Sequence, residues 1–459
     1  MNAFNFFIPV FFLMLNACFH DTHEKHPNIL FIVIDDLRPE LRVYGNEYVI
    51  SPRLDRLAKC GVIFNRAYCS VSWCAPSRTT LMTGMRPEST GVMDLSTHFR
   101  SKVPDAVTIP QFFKQKGYIS LGFGKLYHND ETMQDDQSWT QPCWIPEGTP
   151  IQAYASIENK QIAEGSPYHK AMVTEAADVP DDSYPDGQIT NNVIDVLHEL
   201  KVAGKPFFLG VGYYKPHLPF TAPKKYWDLY NRKDIPLSTV TELPENASPY
   251  IFRAWSETGS YNDISTPEPY SDTLSLLLKH GYLACVSYID AQIGRLLDEL
   301  KTLNLDDNTI VVIWGDHGWK LGEYGRWSKH SNMEIDTRVP LIIYVPGCKP
   351  QVVSDIVETI DIYPTLLELA GFQIPEKLEG ENLFHKKRDF ALSVIPRDSV
   401  TGYAIRTPDF RYIEWRSNNL GKIVDSELYD HRYNDNELTN VVNKPEYNLI
   451  IETLKTKLK

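Results

Sequence analysis

Two apolar runs in this chain end abruptly in charged residues. Asn28–Ile34 is apolar after its first residue and is followed at once by two aspartates, and Thr309–Trp314 is followed by Gly315, Asp316 and His317. Short runs that stay apolar without alternating are typical of strands buried on both faces of a parallel sheet. Such strands require helices on both sides of the sheet, so these runs favour an α/β fold.

Helical and strand patterns alternate over most of the chain. They predict an α/β domain over residues 27–384, with a large, mostly parallel sheet flanked by helices. From about residue 385, short alternating strands and a last helix predict a smaller C-terminal α+β subdomain, residues 385–459. Two irregular polar segments, 129–183 (the first excursion) and 220–272 (the second excursion), carry no recognisable motif and are expected to cross the surface.

The composition favours a folded protein and argues against a nucleic-acid partner. Of the 459 residues, 42% are hydrophobic and 12% aromatic, which is enough for a large core. The net charge is −13, whereas a nucleic-acid-binding protein needs a basic face. A locally positive cleft for a small anionic substrate remains compatible with this balance.

The N-terminus predicts export. Phe6–Leu15 is apolar but spans only ten residues, too few to cross a bilayer. With the following Asn-Ala-Cys, residues 1–18 resemble a bacterial lipoprotein signal, in which Cys18 becomes the lipidated first residue; an ordinary secretory signal is the alternative. The expected location is the periplasm or the outer-membrane or cell surface, with membrane attachment through Cys18, and otherwise the protein is secreted.

One of the seven cysteines, Cys74, lies in a distinctive string. It begins Cys-x-Pro-Ser-Arg and is followed, after four residues, by Thr-Gly. A buried structural thiol is the simplest role for a free cysteine, but a string this specific indicates chemistry. The cysteines other than Cys18 and Cys74 have no metal-type spacing, and their disulfide pairing stays open.

Three carboxylates follow the two apolar runs. Asp35 and Asp36 follow the first run, and Asp316 follows the second. Open α/β sheets bind ligands at the carboxyl ends of their strands, where these side chains would meet. Converging carboxylates repel one another unless a cation lies between them, and their oxygens suit Ca²⁺ or Mg²⁺.

Several motifs together resemble the formylglycine-dependent sulfatases, and most closely the iduronate-2-sulfatase branch. This resemblance implies an alkaline-phosphatase-like α/β fold. The matching segments are Asp35-Asp36, Cys74–Gly84, Gly124–His128, Lys215–His217, Gly315–Trp319, Trp327–Lys329 and Val339–Leu341, with a family-like ending from Leu428 to Asn440.

The resemblance implies a modified nucleophile and a metal ion. A dedicated formylglycine-generating maturation enzyme would oxidise Cys74 to formylglycine. The ion would be Ca²⁺, with Mg²⁺ less favoured. Its ligands would be Asp35, Asp36, Asp316, His317 and the modified Cys74.

The resemblance also assigns roles in catalysis. Arg78 and Lys125 would orient the hydrated aldehyde, and His128 would be the base that releases the sulfate. Lys125, His217 and Lys329 would bind the sulfate, and His217 or Lys329 would protonate the leaving alcohol.

His98 and Arg100 are expected to line the substrate pocket, since the iduronate-2-sulfatase branch has a related segment there. The predicted function is hydrolysis of sulfate esters on a sulfated oligosaccharide or polysaccharide, with a 2-O-sulfated uronic acid as the favoured unit. Two alternatives stay open: a phosphonate or phosphate ester hydrolase of the same superfamily, and a non-catalytic protein that binds sulfated glycans.

Overall fold

The computed structural model describes residues 26–128, 131–148, 150–253, 255–385, 387–433 and 436–458. The predicted signal segment, including Cys18, lies outside these residues. Within them, no helix combines the length and the apolar character needed to traverse a bilayer.

The described residues contain helices and strands in alternation. The helices are α1 (Pro52–Cys60), α2 (Cys74–Thr83), α3 (Pro87–Thr90), α4 (Ile109–Gln115), α5 (Ile157–Gly165), α6 (Pro185–Ala203), α7 (Lys224–Trp227), α8 (Asp272–Thr302), α9 (Glu334–Thr337), α10 (Ile362–Leu369) and α11 (Asn448–Lys457). The strands are β1 (Asn28–Ile34), β2 (Val62–Tyr68), β3 (Ile119–Gly124), β4 (Thr174–Glu175), β5 (Phe207–Tyr213), β6 (Phe220–Thr221), β7 (Thr309–Gly315), β8 (Arg338–Val339), β9 (Leu341–Tyr344), β10 (Gln351–Glu358), β11 (Ala391–Pro396), β12 (Val400–Arg406), β13 (Phe410–Ser417) and β14 (Ile423–Asp430).

The large sheet has the strand order β10-β2-β9-β7-β1-β5-β3, with β8 pairing with β2. Four neighbouring pairs are parallel, and β9 runs antiparallel to both of its neighbours. The chain returns from β7 to β9 through an irregular loop rather than a long crossover helix, and an antiparallel neighbour needs no crossover. The predicted α/β fold is therefore confirmed, with β8 and β9 as the antiparallel members of a mixed sheet.

Strand β1 has helices on both of its faces. Leu30, Ile32 and Ile34 pack into a core that includes buried residues of α1, α6 and α8. The alternate residues are Ile29, Phe31 and Val33. They pack into a second core with residues of α2, α4 and α10. The strand is apolar throughout because it is buried on both faces.

The C-terminal part forms a four-stranded antiparallel sheet, β11-β12-β13-β14. One face packs on Ile451 and Leu454 of α11. The other face, which includes Trp415, packs on Val71 and Met333 of the large domain. The subdomain therefore lies against the segments that flank α2 and α9.

Candidate active site

The carboxyl ends of β1 and β7 bring the predicted acidic residues together. The two strands are adjacent and parallel, with Ile34 paired with Gly315. Asp36 has a φ of 60°, a left-handed conformation that is uncommon for a residue with a side chain. Its N–H donates to Asp316 Oδ1 at 3.0 Å, and the Tyr282 hydroxyl donates to its carbonyl at 2.9 Å. These contacts hold both aspartates at the end of the sheet.

Cys74 is the first residue of helix α2 and is buried. Its Sγ lies 3.2 Å from His317 Nε2 and 3.9 Å from Lys125 Nζ. Burial, and next the charge of Asp35, raises the pKa of the thiol well above its usual value. An unmodified Cys74 therefore stays protonated at neutral pH and is a poor nucleophile.

Arg78, one turn after Cys74, binds the two strand ends and is completely buried. Its Nε donates to Asp316 Oδ2 at 2.9 Å, its Nη2 to Asp35 Oδ1 at 3.1 Å and its Nη1 to the Lys125 carbonyl. A planar guanidinium has donors in a fixed fork, which suits it to bridging separate acceptors. Arg78 therefore fixes α2 to the acidic residues.

Lys125 and His128 follow β3 and depend on two glycines. A Cβ at Gly124 would lie 2.2 Å from the Gly212 carbonyl oxygen, and one at Gly212 would lie 2.0 Å from the Lys125 carbonyl oxygen. This close approach brings Lys125 Nζ into an ion pair with Asp35. His128 Nδ1 is buried without a partner among the described residues. Burial, with Lys125 next, lowers the pKa of His128 to about 2, so its imidazole is neutral.

The two acidic neighbours have opposite electrostatics. Burial favours the neutral form of Asp35, but Lys125 and Arg78 together hold its pKa well below its usual range. Burial raises the pKa of Asp36 to about 7, although Lys329 Nζ lies 2.8 Å from its Oδ1. One lysine does not offset the desolvation of Asp36, so its carboxylate lacks sufficient positive charge.

His217 lies beside a carboxylate that sequence analysis missed. Its Nδ1 contacts the Leu218 carbonyl at 2.7 Å, and because a carbonyl only accepts, Nδ1 carries a proton. Its Nε2 lies 3.3 Å from Glu257 Oε1. Glu257 Oε2 lies 3.5 Å from Lys329 Nζ, so this carboxylate contacts both groups. Burial, and next the charge of Lys329, lowers the pKa of His217.

The residues fit a divalent cation. Ligand atoms of Asp35, Asp36, Cys74 and His317 all lie within 4.8 Å of one another, and all four residues are buried. Asp316 is beside this group: its Oδ2 lies 3.5 Å from His317 Nε2, and both of its oxygens accept hydrogen bonds. The carboxylate oxygens are hard donors suited to Ca²⁺, and the imidazole is the less typical ligand in this set.

A cavity of about 420 Å³ lies above this group. Four of its lining residues are predicted site residues: Cys74, His128, His217 and Lys329. Five others come from the excursions, namely Ile151, Gln152, Arg253, Trp255 and Glu257. The excursions therefore do more than cross the surface, because they form much of the cavity wall.

His98 and Arg100 are not among the lining residues within the described ranges. Arg100 binds Asp135 through two hydrogen bonds of 2.9 and 2.8 Å and also donates to Gln111 Oε1 at 2.8 Å. His98 Nε2 contacts the Gln134 carbonyl at 2.9 Å. Both residues bind the beginning of the first excursion instead of facing the cavity, because their polar groups are engaged there.

Comparisons with known proteins agree with this geometry. The Sulfatase family profile matches residues 27–372. Iduronate 2-sulfatase from Homo sapiens is 33% identical to this chain, over 89% of this chain and 92% of the relative.

Solved structures show the same fold. The phosphonate monoester hydrolase from Silicibacter pomeroyi superposes with a TM-score of 0.76 at 24% identity, covering 94% of each chain. A protein solved with its substrate D-glucosamine-2-N,6-O-disulfate superposes with a TM-score of 0.75 at 22% identity, covering 95% of this chain and 97% of that one. At these identities the likeness is evidence of the fold alone, and it confirms the alkaline-phosphatase-like architecture.

The family profile covers most of the chain, and the alignment to human iduronate 2-sulfatase, at 33% identity, covers about nine-tenths of both proteins. The cavity joins the residues of the sulfatase motifs in one place. The chain therefore belongs to the sulfatase family, the hydrolases of sulfate esters.

Proposed function

We propose that the protein hydrolyses sulfate esters on a sulfated carbohydrate, with a 2-O-sulfated uronic acid as its substrate unit. The observation that carries this proposal is the convergence of Cys74, Asp35, Asp36 and His317 beneath the cavity. The identity to human iduronate 2-sulfatase supports the uronic acid. The structural relative solved with a disulfated glucosamine supports a sugar substrate in general.

Two groups that the unmodified polypeptide lacks belong to this proposal. Cys74 is oxidised to formylglycine by a maturation enzyme, and Asp35, Asp36, Asp316, His317 and the modified residue hold Ca²⁺. Formylglycine supplies an oxygen nucleophile at the cavity, and the cation supplies positive charge against the anionic ester.

The protein's own cations orient the ester. Lys125 Nζ lies 3.9 Å from Cys74 Sγ, close enough to hold both the nucleophilic group and a sulfate oxygen. Lys329 lines the cavity with Cys74. Positive charges fixed in a buried site stabilise developing negative charge more strongly than in water.

Two histidines move protons. His217 is the acid that protonates the leaving alcohol from Nε2: burial and Lys329 lower its pKa, which makes it a stronger acid, and the carboxylate of Glu257, 3.3 Å from Nε2, opposes that lowering and attracts the proton before transfer. His128 Nδ1 has no partner among the described residues and His128 lines the cavity, so this histidine is placed to accept the proton whose removal releases the sulfate.

Kinetics on matched esters test the reaction type. The protein is produced together with a formylglycine-generating enzyme, and mass spectrometry of the Cys74 peptide measures conversion. We expect converted protein to cleave an aryl sulfate faster than the matching aryl phosphonate ester, and to release sulfate from a 2-O-sulfated uronic acid oligosaccharide. Faster phosphonate cleavage would favour the phosphoesterase alternative. Absence of conversion in the native host would favour a glycan-binding protein.

The proposal includes export, with Cys18 as the lipidated residue. A lipid anchor would place the active site near extracellular or periplasmic polysaccharides. Mass spectrometry of the mature N-terminus checks this, since a lipidated Cys18 and a cleaved, unmodified N-terminus have different masses.

A further inference from the structure

Among the residues that the structure describes, one cation in the cavity wall has no anionic partner. The Arg253 guanidinium lies 4.9 Å above the centre of the Trp73 ring and makes no hydrogen bond or ion pair within the described residues. Lys329, the other Arg or Lys that lines the cavity, is paired with Asp36 and Glu257. Arg253 therefore presents an unneutralised charge beside the sulfate site.

A second arginine binds the backbone just before Arg253. Arg397 donates to the carbonyls of Tyr250 at 3.0 Å, Ile251 at 2.9 Å and His330 at 2.7 Å. Burial, and next the charge of Arg253, lowers the pKa of Arg397 to about 10, as two neighbouring cations require. Arg397, in the turn between β11 and β12, thus holds the second excursion next to the loop of Lys329 and adds to the positive potential there.

His330 contributes an unsatisfied polar atom in the same corner. The residue lines the cavity, is only 4% exposed, and its Nδ1 has no partner within the described residues. Its ring packs against Trp73 at 5.1 Å and Trp255 at 6.1 Å between centroids. An unpaired buried polar atom costs about 1–3 kcal/mol, a cost that a bound ligand would remove.

We propose that Arg253 and His330 form a second anion subsite, which binds a carboxylate or a further sulfate of the substrate while the first sulfate lies at Cys74. This inference rests on the proposed function. A guanidinium held on an aromatic ring suits a planar carboxylate, with which it can form two parallel hydrogen bonds. The enzyme would then select sugars with two anionic groups over sugars with one.

Four substrates test the subsite: a 2-O-sulfated uronic acid disaccharide, its methyl ester, a disaccharide that has two sulfates but no carboxylate, and an aryl sulfate. We expect Arg253→Gln to lower kcat/KM on the acid at least about 10-fold more than on the methyl ester, mainly through KM, since one lost charge contact commonly costs a factor of ten or more. Arg253→Lys should recover part of the preference, because it keeps the charge. Arg42→Gln is the control, as Arg42 is 56% exposed and outside the cavity.

The outcomes separate the two proposals. A selective loss on the acid identifies a carboxylate, and a selective loss on the disulfated sugar identifies a second sulfate; either supports the subsite. If Arg253→Gln lowers kcat/KM equally on all four substrates while the wild type turns them over, the subsite proposal is wrong and the proposed function stands. If converted wild-type protein cleaves none of them, the proposed function fails and the subsite with it.

Discussion

Two buried charge clusters in this protein have similar ligand geometry but different electrostatics. The proposed catalytic cluster, called the catalytic cluster below, consists of Asp35, Asp36, Asp316, Glu257, Arg78, Lys125 and Lys329, with His217, His317 and Cys74. The junction cluster joins the large domain to the C-terminal sheet and consists of Glu334, Arg406, Arg411, His431 and Glu437.

Both clusters bring metal-binding side chains within 4.8 Å of one another, so proximity does not separate them. In the junction cluster, Arg411 donates to Glu437 at 2.6 Å and to Glu334 at 2.7 Å, and Arg406 donates to Glu334 at 2.8 Å. Burial opposes ionisation of Glu334, but the two guanidiniums hold its pKa well below its usual range.

The catalytic cluster is less well neutralised. Four carboxylates face three Arg or Lys side chains, and the pKa of Asp36 rises to about 7 because of burial. A buried charge needs full pairing. The junction cluster has this pairing within the protein, whereas the catalytic cluster leaves a charge deficit that a cation can fill beside an open cavity. The comparison teaches that charge balance, and not the proximity of ligand atoms, distinguishes a candidate metal site from a structural ion-pair network.

The largest effect is expected when the side chain of the proposed nucleophile, Cys74, is removed. Cys74→Ala should lower kcat on an aryl sulfate by about 10⁴-fold or more, as loss of a covalent nucleophile does in other enzymes. Its melting temperature should stay close to that of the wild type. Cys60→Ala, at an exposed thiol, is the matched control. Near-normal turnover by Cys74→Ala would end the covalent mechanism.

The next effect concerns the junction cluster. Arg411→Met removes the main cationic partner of Glu437 and one of the two guanidiniums that bind Glu334, and it should reduce the free energy of unfolding by about 3–5 kcal/mol, measured by urea denaturation. Arg416→Met on the same strand removes a more exposed ion pair with Glu414 and should cost at most about 1 kcal/mol. If the two variants are equally stable, the junction cluster is not a stabilising network.

Calcium tests the charge deficit directly. Saturating Ca²⁺ at about 100 times its Kd should stabilise the folded protein by about 2.7 kcal/mol, and chelation should remove that increment. Asp36→Asn should lose the increment in thermal unfolding, whereas Arg411→Met should keep it. If Ca²⁺ stabilises Asp36→Asn as much as the wild type, the ion binds at another site. If Mg²⁺ stabilises the wild type more than Ca²⁺ does, the preferred ion is Mg²⁺.

A smaller effect tests Glu257. Glu257→Gln removes the charge beside His217 Nε2 and should lower kcat on a sulfated sugar by about 10- to 100-fold, at the low end for general acid catalysis. On a nitrophenyl sulfate, whose leaving group needs little protonation, the same substitution should lower kcat much less. Glu242→Gln, an exposed residue of the same excursion, controls for the segment. Equal losses on both substrates would contradict a role in proton delivery.

Much of the fold and the metal-binding group could be predicted. The apolar runs of β1 and β7 identify strands buried on both faces, and parallel neighbours end at the same edge of a sheet. The convergence of Asp35, Asp36 and His317 follows from that rule alone. By contrast, the sequence pattern did not reveal that Arg100 is engaged by Asp135 and away from the cavity.

The sequence by itself determined the strand ends, the Cys74 motif and therefore the family, since these depend on short segments whose chemistry is local. Only the tertiary structure decided that Glu257 contacts His217 and Lys329, and that Arg253 lies over Trp73 without an ion pair among the described residues. It also decided that Arg397, in the turn between β11 and β12, binds the carbonyls of Ile251 and His330. Charged residues in irregular polar segments look like solvated surface in a sequence. Their placement depends on contacts between residues that are distant in the chain, such as Glu257 with Lys329 and Arg253 with Trp73, which no local pattern records.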